Sequence, residues 1–567
     1  MNHSIETDMM NDIVSCIPGY EHMELIDARS DDPKVGKAYT REEIAENKIY
    51  GTVVSTLRKE DSSLRYIMEP LGHSTIVGTT GSGKSTGPIA AQIDAASLAG
   101  YSFGVIDTKG ELYASTASRL KELGYRTLVI NMKDAWHSEK FNPLHKAAKK
   151  ILTLKDVGAG VEVKTENGKQ YYEYKGVKYS SNEELATVFS YEIKDIYEKA
   201  QEDIRGLVAK LWPVESTKDP IWEKAAWKML VSLAFALATD QHEPDPERRT
   251  TIEQVNFANM KAIFNSFENS GRNGLNDRGF FKRRGYDSFC NSEVKRIFFE
   301  NAESTMRNYI GFVDTAFSKY NFSGFNEFTL TTSFDMKEIV ENPTAVFLVY
   351  DEMDVLCKTF ISYIISYMLE ELKLIADATP ELSLPKPFLL IADEFATLPK
   401  NESIANFIAF GRSRKIFVHF VLQSYSQLYD TYGDSAKSFL ENCATTIFLS
   451  TNDHRTVEDF SRELGKRTIV SPGADLNKGY IHLEERPIVT CSELSVIKQG
   501  EVYVKRHGKM PLKGCFEKSY EVPEYKCERV KLSDYPNPLA ETRSKYDYDV
   551  TKIGGGVDYD DDDDDLF

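Results

Sequence analysis

Apolar residues gather in short, nearly unbroken runs along the middle of the chain. Residues 73–77, 102–106, 127–131, 345–350, 388–392, 416–422 and 445–450 are such runs, and several end in a polar residue. Unbroken apolar runs of this length predict strands covered on both faces, as in a parallel sheet. Helical stretches are predicted between them, including 88–93 and 402–410. Two apolar stretches, 229–238 and 360–369, read as core helices. Strand–helix–strand alternation predicts an α/β domain, a parallel sheet with helices on its faces. Residues 501–505 read as a late edge strand.

The alternation stops near residue 150. Residues 161–179 look like a hairpin turning at Asn167-Gly168. From 182 to about 334 the pattern is mainly helical, with Trp212, Trp222 and Trp227 as bulky packing residues. This segment reads as a helical domain inserted into the α/β domain. Residues 1–70 are polar and acidic, with a helix start near Arg41 and no visible chemistry.

Composition narrows the class. The chain has 567 residues, 41% hydrophobic and 28% charged, with a net charge of −18. That balance excludes a global basic field for nucleic acid, so DNA contact would need a local patch or a pore. The seven cysteines are scattered without a C-x-x-C pair. This points to a reducing compartment and away from a disulfide frame or zinc site. No signal peptide is visible, and no apolar run approaches the ~18 residues of a spanning helix.

The stretch Gly78-Thr79-Thr80-Gly81-Ser82-Gly83-Lys84-Ser85, followed by Thr86, fits G-x-x-x-x-G-K-[ST]. It lies between a predicted strand and a predicted helix, where Pro88 is early enough to be tolerated. Glycines let backbone N–H groups turn inward around phosphate oxygens, and a helix N-terminus adds a favourable dipole. Lys84 is expected on the β- and γ-phosphates and Ser85 on Mg²⁺. A Gly-rich turn without chemistry is the bland reading.

A second motif closes the run 388–392, where Asp393-Glu394 follow a buried strand. Asp393 is expected in the Mg²⁺ shell and Glu394 as general base. Gln423, at the tip of 416–422, suits water orientation or sensing of the γ-phosphate. Arg412 or Arg414 suits an arginine finger reaching a neighbouring subunit, although either equally fits a surface ion pair. Asp107 and Glu111 either border the nucleotide or serve as a helix cap and a solvated residue.

Two further features concern partners. Arg272, Arg278, Lys282, Arg283, Arg284, Lys295, Arg296 and Arg307 form a basic cluster interleaved with Phe280, Phe281 and Tyr286. Cations among aromatic stacking surfaces suit single-stranded nucleic acid; a solvated helix face with rings turned inward is the alternative. The chain ends in Gly554-Gly555-Gly556, six aspartates (560–565), Leu566 and Phe567. This is a self-repelling tail that reads as a solubilising end or as a docking peptide resembling the acidic tip of single-strand binding proteins.

Taken in order, several motifs resemble the TraG/TraD-type coupling ATPases of type IV secretion and conjugation, relatives of the FtsK and HerA DNA pumps. They are residues 78–86; Asp107-x-Lys109-Gly110-Glu111; Phe141-Asn142-Pro143-Leu144; Glu303-Ser304-Thr305; Asp393-Glu394; Gly411-Arg412; and Gln423, Gln427-Leu428 and Tyr432-Gly433. The resemblance covers roughly residues 70 to 470. It implies a RecA-like P-loop nucleotide-binding domain with an inserted all-α domain, ATP and Mg²⁺ as cofactors, and a ring, usually a homo-hexamer. It implies ATP-driven delivery of single-stranded DNA with its relaxase to a type IV secretion channel. It makes Arg412 the finger in trans and Gln423 the sensor.

The expected organisation is an N-terminal segment (1–70), two nucleotide-domain parts (71–150 and 336–520) around the insert (151–335), and an extension with an acidic tail (521–567). The family's two N-terminal membrane helices have no counterpart here. They are expected on a membrane-anchoring subunit, lost from the chain, or dispensable to a soluble ring. The expected location is cytoplasmic, at the inner face of the membrane through partners. Two rival functions remain: a double-stranded DNA translocase of the FtsK/HerA kind, and a nucleotide-switched substrate receptor with little motor activity.

Overall fold

The structure is a computed structural model. It describes residues 24–539 apart from 31, 60, 167–168, 215–219, 270–278, 283–288, 295–302, 321–322 and 471–482, and also 543–547 and 549. The chain divides into two compact units, one of residues 1–131 and 335–535 and one of residues 132–334 and 536–567.

The first unit is built on a ten-stranded sheet. Across the sheet the strands run Ile26–Asp27, Leu512–Cys515, Glu501–Arg506, Thr445–Ser450, Ser74–Gly78, Ile416–Leu422, Phe388–Ala392, Phe103–Ile106, Thr344–Val349 and Arg126–Asn131. The seven strands from Thr445–Ser450 to Arg126–Asn131 are parallel. Phe388–Ala392, Ile416–Leu422 and Thr344–Val349 are buried at every position, which explains their unbroken apolar sequence. Because those strands share one direction, their polar C-terminal extensions meet along a single edge.

Helices cover the sheet where capping residues start them. Asp354 accepts from the Leu356 and Cys357 N–H groups to open Val355–Asp377, and Asn401 opens Glu402–Gly411 in the same way. The helix expected after the phosphate loop begins irregularly. Pro88 has no N–H to give, and Ile89 instead bonds to the Lys84 carbonyl five residues back at 3.1 Å. Residues Ser85–Ile89 therefore form one wide π-type turn before the regular helix Ala90–Ala99.

Residues 24–70 hold more structure than their polar sequence suggests. A three-stranded antiparallel sheet joins Ala38–Thr40, Leu64–Pro70 and Gly51–Arg58. The helix Arg41–Asn47 starts at a reciprocal cap between Thr40 and Glu43. Arg41 bonds to Asp94 through Nε and Nη2, both at 3.0 Å, and Arg119 approaches the same carboxylate at 3.3 Å. Tyr66 donates to it as well. Asp94 is fully buried, so these partners are what make its charge tolerable there.

The second unit is mainly helical. Its longest helices are Asn182–Leu211, Ile221–Thr239 and Glu303–Lys319, beside a three-stranded sheet of Glu162–Glu166, Lys169–Tyr174 and Val177–Tyr179. The Trp212 indole donates to the Ala316 carbonyl at 2.7 Å and packs edge-on against Phe257 and Tyr320. Glu303, Ser304 and Thr305 begin the helix Glu303–Lys319.

For two of the aromatics in the basic segment, the structure favours the reading with rings turned inward. Phe280 and Phe281 are 0% and 4% exposed, so their rings serve the core and are not stacking surfaces for bases. Arg272, Arg278, Arg283, Arg284, Tyr286, Lys295 and Arg296, and the side chain of Lys282, lie outside the described residues; Arg307 is exposed. The acidic tail at 560–567 also lies outside them. No helix among the described residues is long and apolar enough to cross a membrane.

Candidate active site

The buried strand Ser74–Gly78 delivers the phosphate loop to the C-terminal edge of the sheet. The Thr79 N–H is tethered to the Ser450 carbonyl on the neighbouring strand at 2.9 Å. Gly81 and Gly83 have φ of +79° and +95°, a region that side chains disfavour. At Gly78 a Cβ would run into Ser82 Oγ, so the loop closes only over a bare backbone.

Lys84 is buried, and its ammonium donates to the Gly78 and Thr79 carbonyls at 2.6 and 3.1 Å. Burial lowers its pKa, opposed by the Asp393 and Glu394 carboxyls. Ser82 Oγ is buried without a partner, and Thr86 Oγ1 sits 3.4 Å from the Gly83 carbonyl. A cation and an orphaned hydroxyl at a loop of inward-turned amides suit a ligand rich in anionic oxygen.

Carboxyls face this loop from the next strands. Asp393 ends the strand Phe388–Ala392, and burial pushes its carboxyl up to about 6 despite Lys84 nearby. Asp107 ends Phe103–Ile106, is 4% exposed, and is likewise raised to about 6 by burial. Asp107 Oδ2 accepts from the Tyr113 N–H at 2.8 Å, so this carboxylate caps the helix Glu111–Glu122 and lines the cleft as well. Glu111 is exposed at the start of that helix and lines the cleft. Two carboxyls with raised pKa, Asp107 buried and Asp393 half-buried, line the same cleft as Ser85 and fit a divalent cation that would compensate their charge.

Glu394 adopts left-handed backbone with φ of +51°. Its N–H bonds to Asp393 Oδ1 at 3.0 Å, and its carbonyl accepts from the Thr397 N–H and hydroxyl, each at 2.9 Å. This turn holds a strained conformation. Burial, the Asp393 charge and a hydrogen bond with Glu352 all raise the Glu394 pKa. A carboxyl so poised accepts a proton more readily than an ordinary one.

Gln423 follows Ile416–Leu422, the strand between those of the phosphate loop and Asp393. Thr451 Oγ1 holds its carbonyl at 3.1 Å, and Gln427 Nε2 lies 3.4 Å from its side-chain oxygen.

The two candidate fingers separate. Arg414 Nε bonds to Asp377 Oδ1 at 2.7 Å and its guanidinium lies over the Phe410 ring, so it is a surface pair. Arg412 is exposed and sits before the strand Ile416–Leu422, at the edge opposite the phosphate loop. A seven-residue strand spans about 23 Å at ~3.3 Å per residue. Arg412 therefore does not serve its own chain's loop.

The cleft among these groups has a volume of about 320 Å³. Gln499 and the exposed Tyr520 border it, and sequence reading missed both. Tyr520 arrives through the segment after Leu512–Cys515, whose Ser519 N–H bonds to the Thr86 carbonyl at 2.7 Å, and Gln499 comes from just before the strand Glu501–Arg506. No local motif marks that contact. A neighbouring cavity of about 310 Å³ shares Ser85, Thr86, Glu111, Leu112 and Tyr520 and extends to Tyr525 and Arg529.

Comparison with known proteins agrees with this geometry. The family described as type IV secretory system conjugative DNA transfer matches residues 31–533. No curated protein gives a significant match. Among solved structures, the bacterial conjugative coupling protein TrwBdeltaN70 aligns with a TM-score of 0.53 and 14% identity, covering 92% of this chain and 95% of that one. TrwB in complex with the non-hydrolysable ATP analogue ADPNP gives 0.52 and 16%, covering 81% and 87%. TrwB in complex with ADP and Mg²⁺ gives 0.52 and 15%, covering 88% and 94%. Identities this low speak for a shared fold, the RecA-like P-loop domain with an inserted all-α domain expected from the sequence. Together with the match over most of its length, they place this chain in the type IV secretory system family of conjugative DNA transfer proteins.

Proposed function

We propose that this chain is an ATP-hydrolysing coupling protein that recruits single-stranded DNA with its relaxase and drives it to a type IV secretion channel. The observation that carries the reading is the meeting, on one sheet edge, of the Lys84 loop with Asp393, Glu394 and Gln423. The binding of ADPNP, and of ADP with Mg²⁺, by TrwB supports ATP and Mg²⁺ as the ligands here.

The geometry supports the following roles. Gly78, Thr79, Thr80, Gly81, Ser82, Gly83 and Thr86 wrap the phosphates with backbone amides and hydroxyls. Lys84 exchanges its bonds to the Gly78 and Thr79 carbonyls for bonds to phosphate oxygens. Ser85 and Asp393 would hold Mg²⁺, which would offset phosphate charge. Glu394 takes a proton from the attacking water, and Gln423 orients that water. Arg412 supplies positive charge to a neighbouring subunit's site, which calls for a ring; the family resemblance makes it a homo-hexamer. Membrane attachment would come through channel components or a membrane-anchoring subunit.

ATP turnover with and without single-stranded DNA tests this reading, with Lys84→Ala as the control. Stimulation by duplex in preference to single strands would favour a double-stranded DNA translocase. Tight relaxase binding without DNA-stimulated turnover would favour a nucleotide-switched receptor.

A further inference from the structure

The cavity of about 310 Å³ beside the nucleotide cleft has no part in the roles assigned above. The segment 519–530 is tethered across the two helices that border it. The Ser519 N–H bonds to the Thr86 carbonyl at 2.7 Å, the Val530 N–H to the Ala114 carbonyl at 3.0 Å, and Ser118 Oγ donates to the Glu528 carbonyl at 2.8 Å. Cleft and cavity adjoin at Ser85, the residue expected on Mg²⁺, with Tyr520 also lining both.

Arg119 lines this cavity, and its side chain is only 8% exposed. Its Nε is buried without a hydrogen-bond partner. Asp94 does not satisfy it: the Arg41 fork already takes both carboxylate oxygens at 3.0 Å, and Arg119 reaches one of them only through Nη2 at 3.3 Å. The guanidinium also lies over the Tyr525 ring, 5.0 Å from its centre. A buried N–H left unmade costs about 1–3 kcal/mol, so the arrangement favours an acceptor that enters the cavity. Lys526 and Arg529 line it as well, both exposed and neither in an ion pair among the described residues. Glu111 is the one carboxylate in the lining, and it is exposed to screening by solvent. The surplus of cations selects an anion, and a guanidinium fork matches the oxygens of phosphate.

We propose that this cavity is a second phosphate subsite: it takes the inorganic phosphate leaving the nucleotide cleft and holds it on Arg119, with Lys526 and Arg529 as outer cations. The proposal rests on the hydrolytic reading, in which water and ATP give ADP and phosphate in the adjoining cleft. No bond is made or broken in the subsite itself.

The test is uptake of radiolabelled inorganic phosphate, by equilibrium dialysis, by the full-length chain saturated with ADPNP and Mg²⁺, so that the phosphate loop is already filled. A single phosphate per chain is expected. Arg119→Lys keeps a cation for Asp94 but removes the fork, and should weaken uptake about tenfold or more. Arg529→Gln, at an exposed position, should weaken it about twofold to fivefold. Both variants should keep ADPNP affinity within about twofold, and Arg529→Gln decides alone if Arg119→Lys is unstable. In steady-state turnover the same variants should raise the phosphate concentration needed for product inhibition by the same factors. No uptake by the ADPNP-loaded chain, or equal uptake in wild type and variants, overturns the subsite. A second ADPNP per chain, weakened by the same substitutions, overturns its assignment to the product and gives it to the phosphate of another nucleotide. A chain that binds no ADPNP defeats the nucleotide reading as well, whereas one that binds ADPNP but no phosphate defeats the subsite alone.

Discussion

Removing a charge from the candidate active site should stabilise the protein. Asp393 is held near the sheet edge with a carboxyl raised by burial from an ordinary 3.8 to about 6. The folded chain therefore binds this proton more tightly than the unfolded chain. Its favourable contribution is complete below about pH 4 and is lost as pH rises through about 6. Above that pH the ionised group costs at most about 3 kcal/mol, from 1.36 kcal/mol per tenfold change in proton affinity. Partial solvent contact and the proximity of Lys84 bring a realistic figure to about 1–3 kcal/mol. Asn at this position keeps an oxygen for the Glu394 N–H. Asp393→Asn should thus gain about 1–3 kcal/mol at pH 8 and almost nothing at pH 4.5. Urea unfolding of both proteins at the two pH values, without nucleotide or Mg²⁺, measures the difference directly. The comparison with wild type cancels titrating groups that do not interact with Asp393. The same variant should lose Mg²⁺-dependent nucleotide affinity. A variant less stable than wild type at pH 8, or a gain that does not change with pH, would refute the reasoning.

Three further outcomes follow from the geometry. Arg412→Ala should reduce turnover by about 10³-fold or more while leaving nucleotide affinity and Tm unchanged. Mixing it with Lys84→Ala should recover part of the activity through mixed assemblies, and no recovery would refute action between subunits. Asp94→Ala leaves Arg41 and Arg119 without their shared buried carboxylate; denaturant unfolding should show a loss of about 3–5 kcal/mol, and a loss below 1 kcal/mol would contradict that role. His73 and His419 are held down by burial to about 4 and about 3. The stability this represents is complete above about pH 6.5 and is lost as pH falls towards those values. NMR titration should show both rings neutral at pH 5, and a His73 titration near 6.5 would be inconsistent with its environment.

Much of the site was legible in the sequence because its chemistry is local. The phosphate loop needs particular residues within eight positions, and Asp393-Glu394 follow an apolar run that only a doubly covered strand explains. Elements set by distant partners were not legible. The strand Gly51–Arg58 is fixed partly by Ser55, whose hydroxyl bonds to the Cys515 backbone far along the chain. Gln499 and Tyr520 reach the cleft only because the late hairpin brings them there. The choice between Arg412 and Arg414 depended on Asp377, which takes the second arginine out of contention. Phe280 and Phe281 lie among basic residues in sequence, yet burial and not charge pattern decides where a ring points.

The central claim is tested most directly by ATP turnover of the purified chain, with and without single-stranded DNA, beside Lys84→Ala. Turnover that rises with single-stranded DNA and vanishes in the variant is the expected result. Equal turnover in wild type and Lys84→Ala would contradict the assignment of the site.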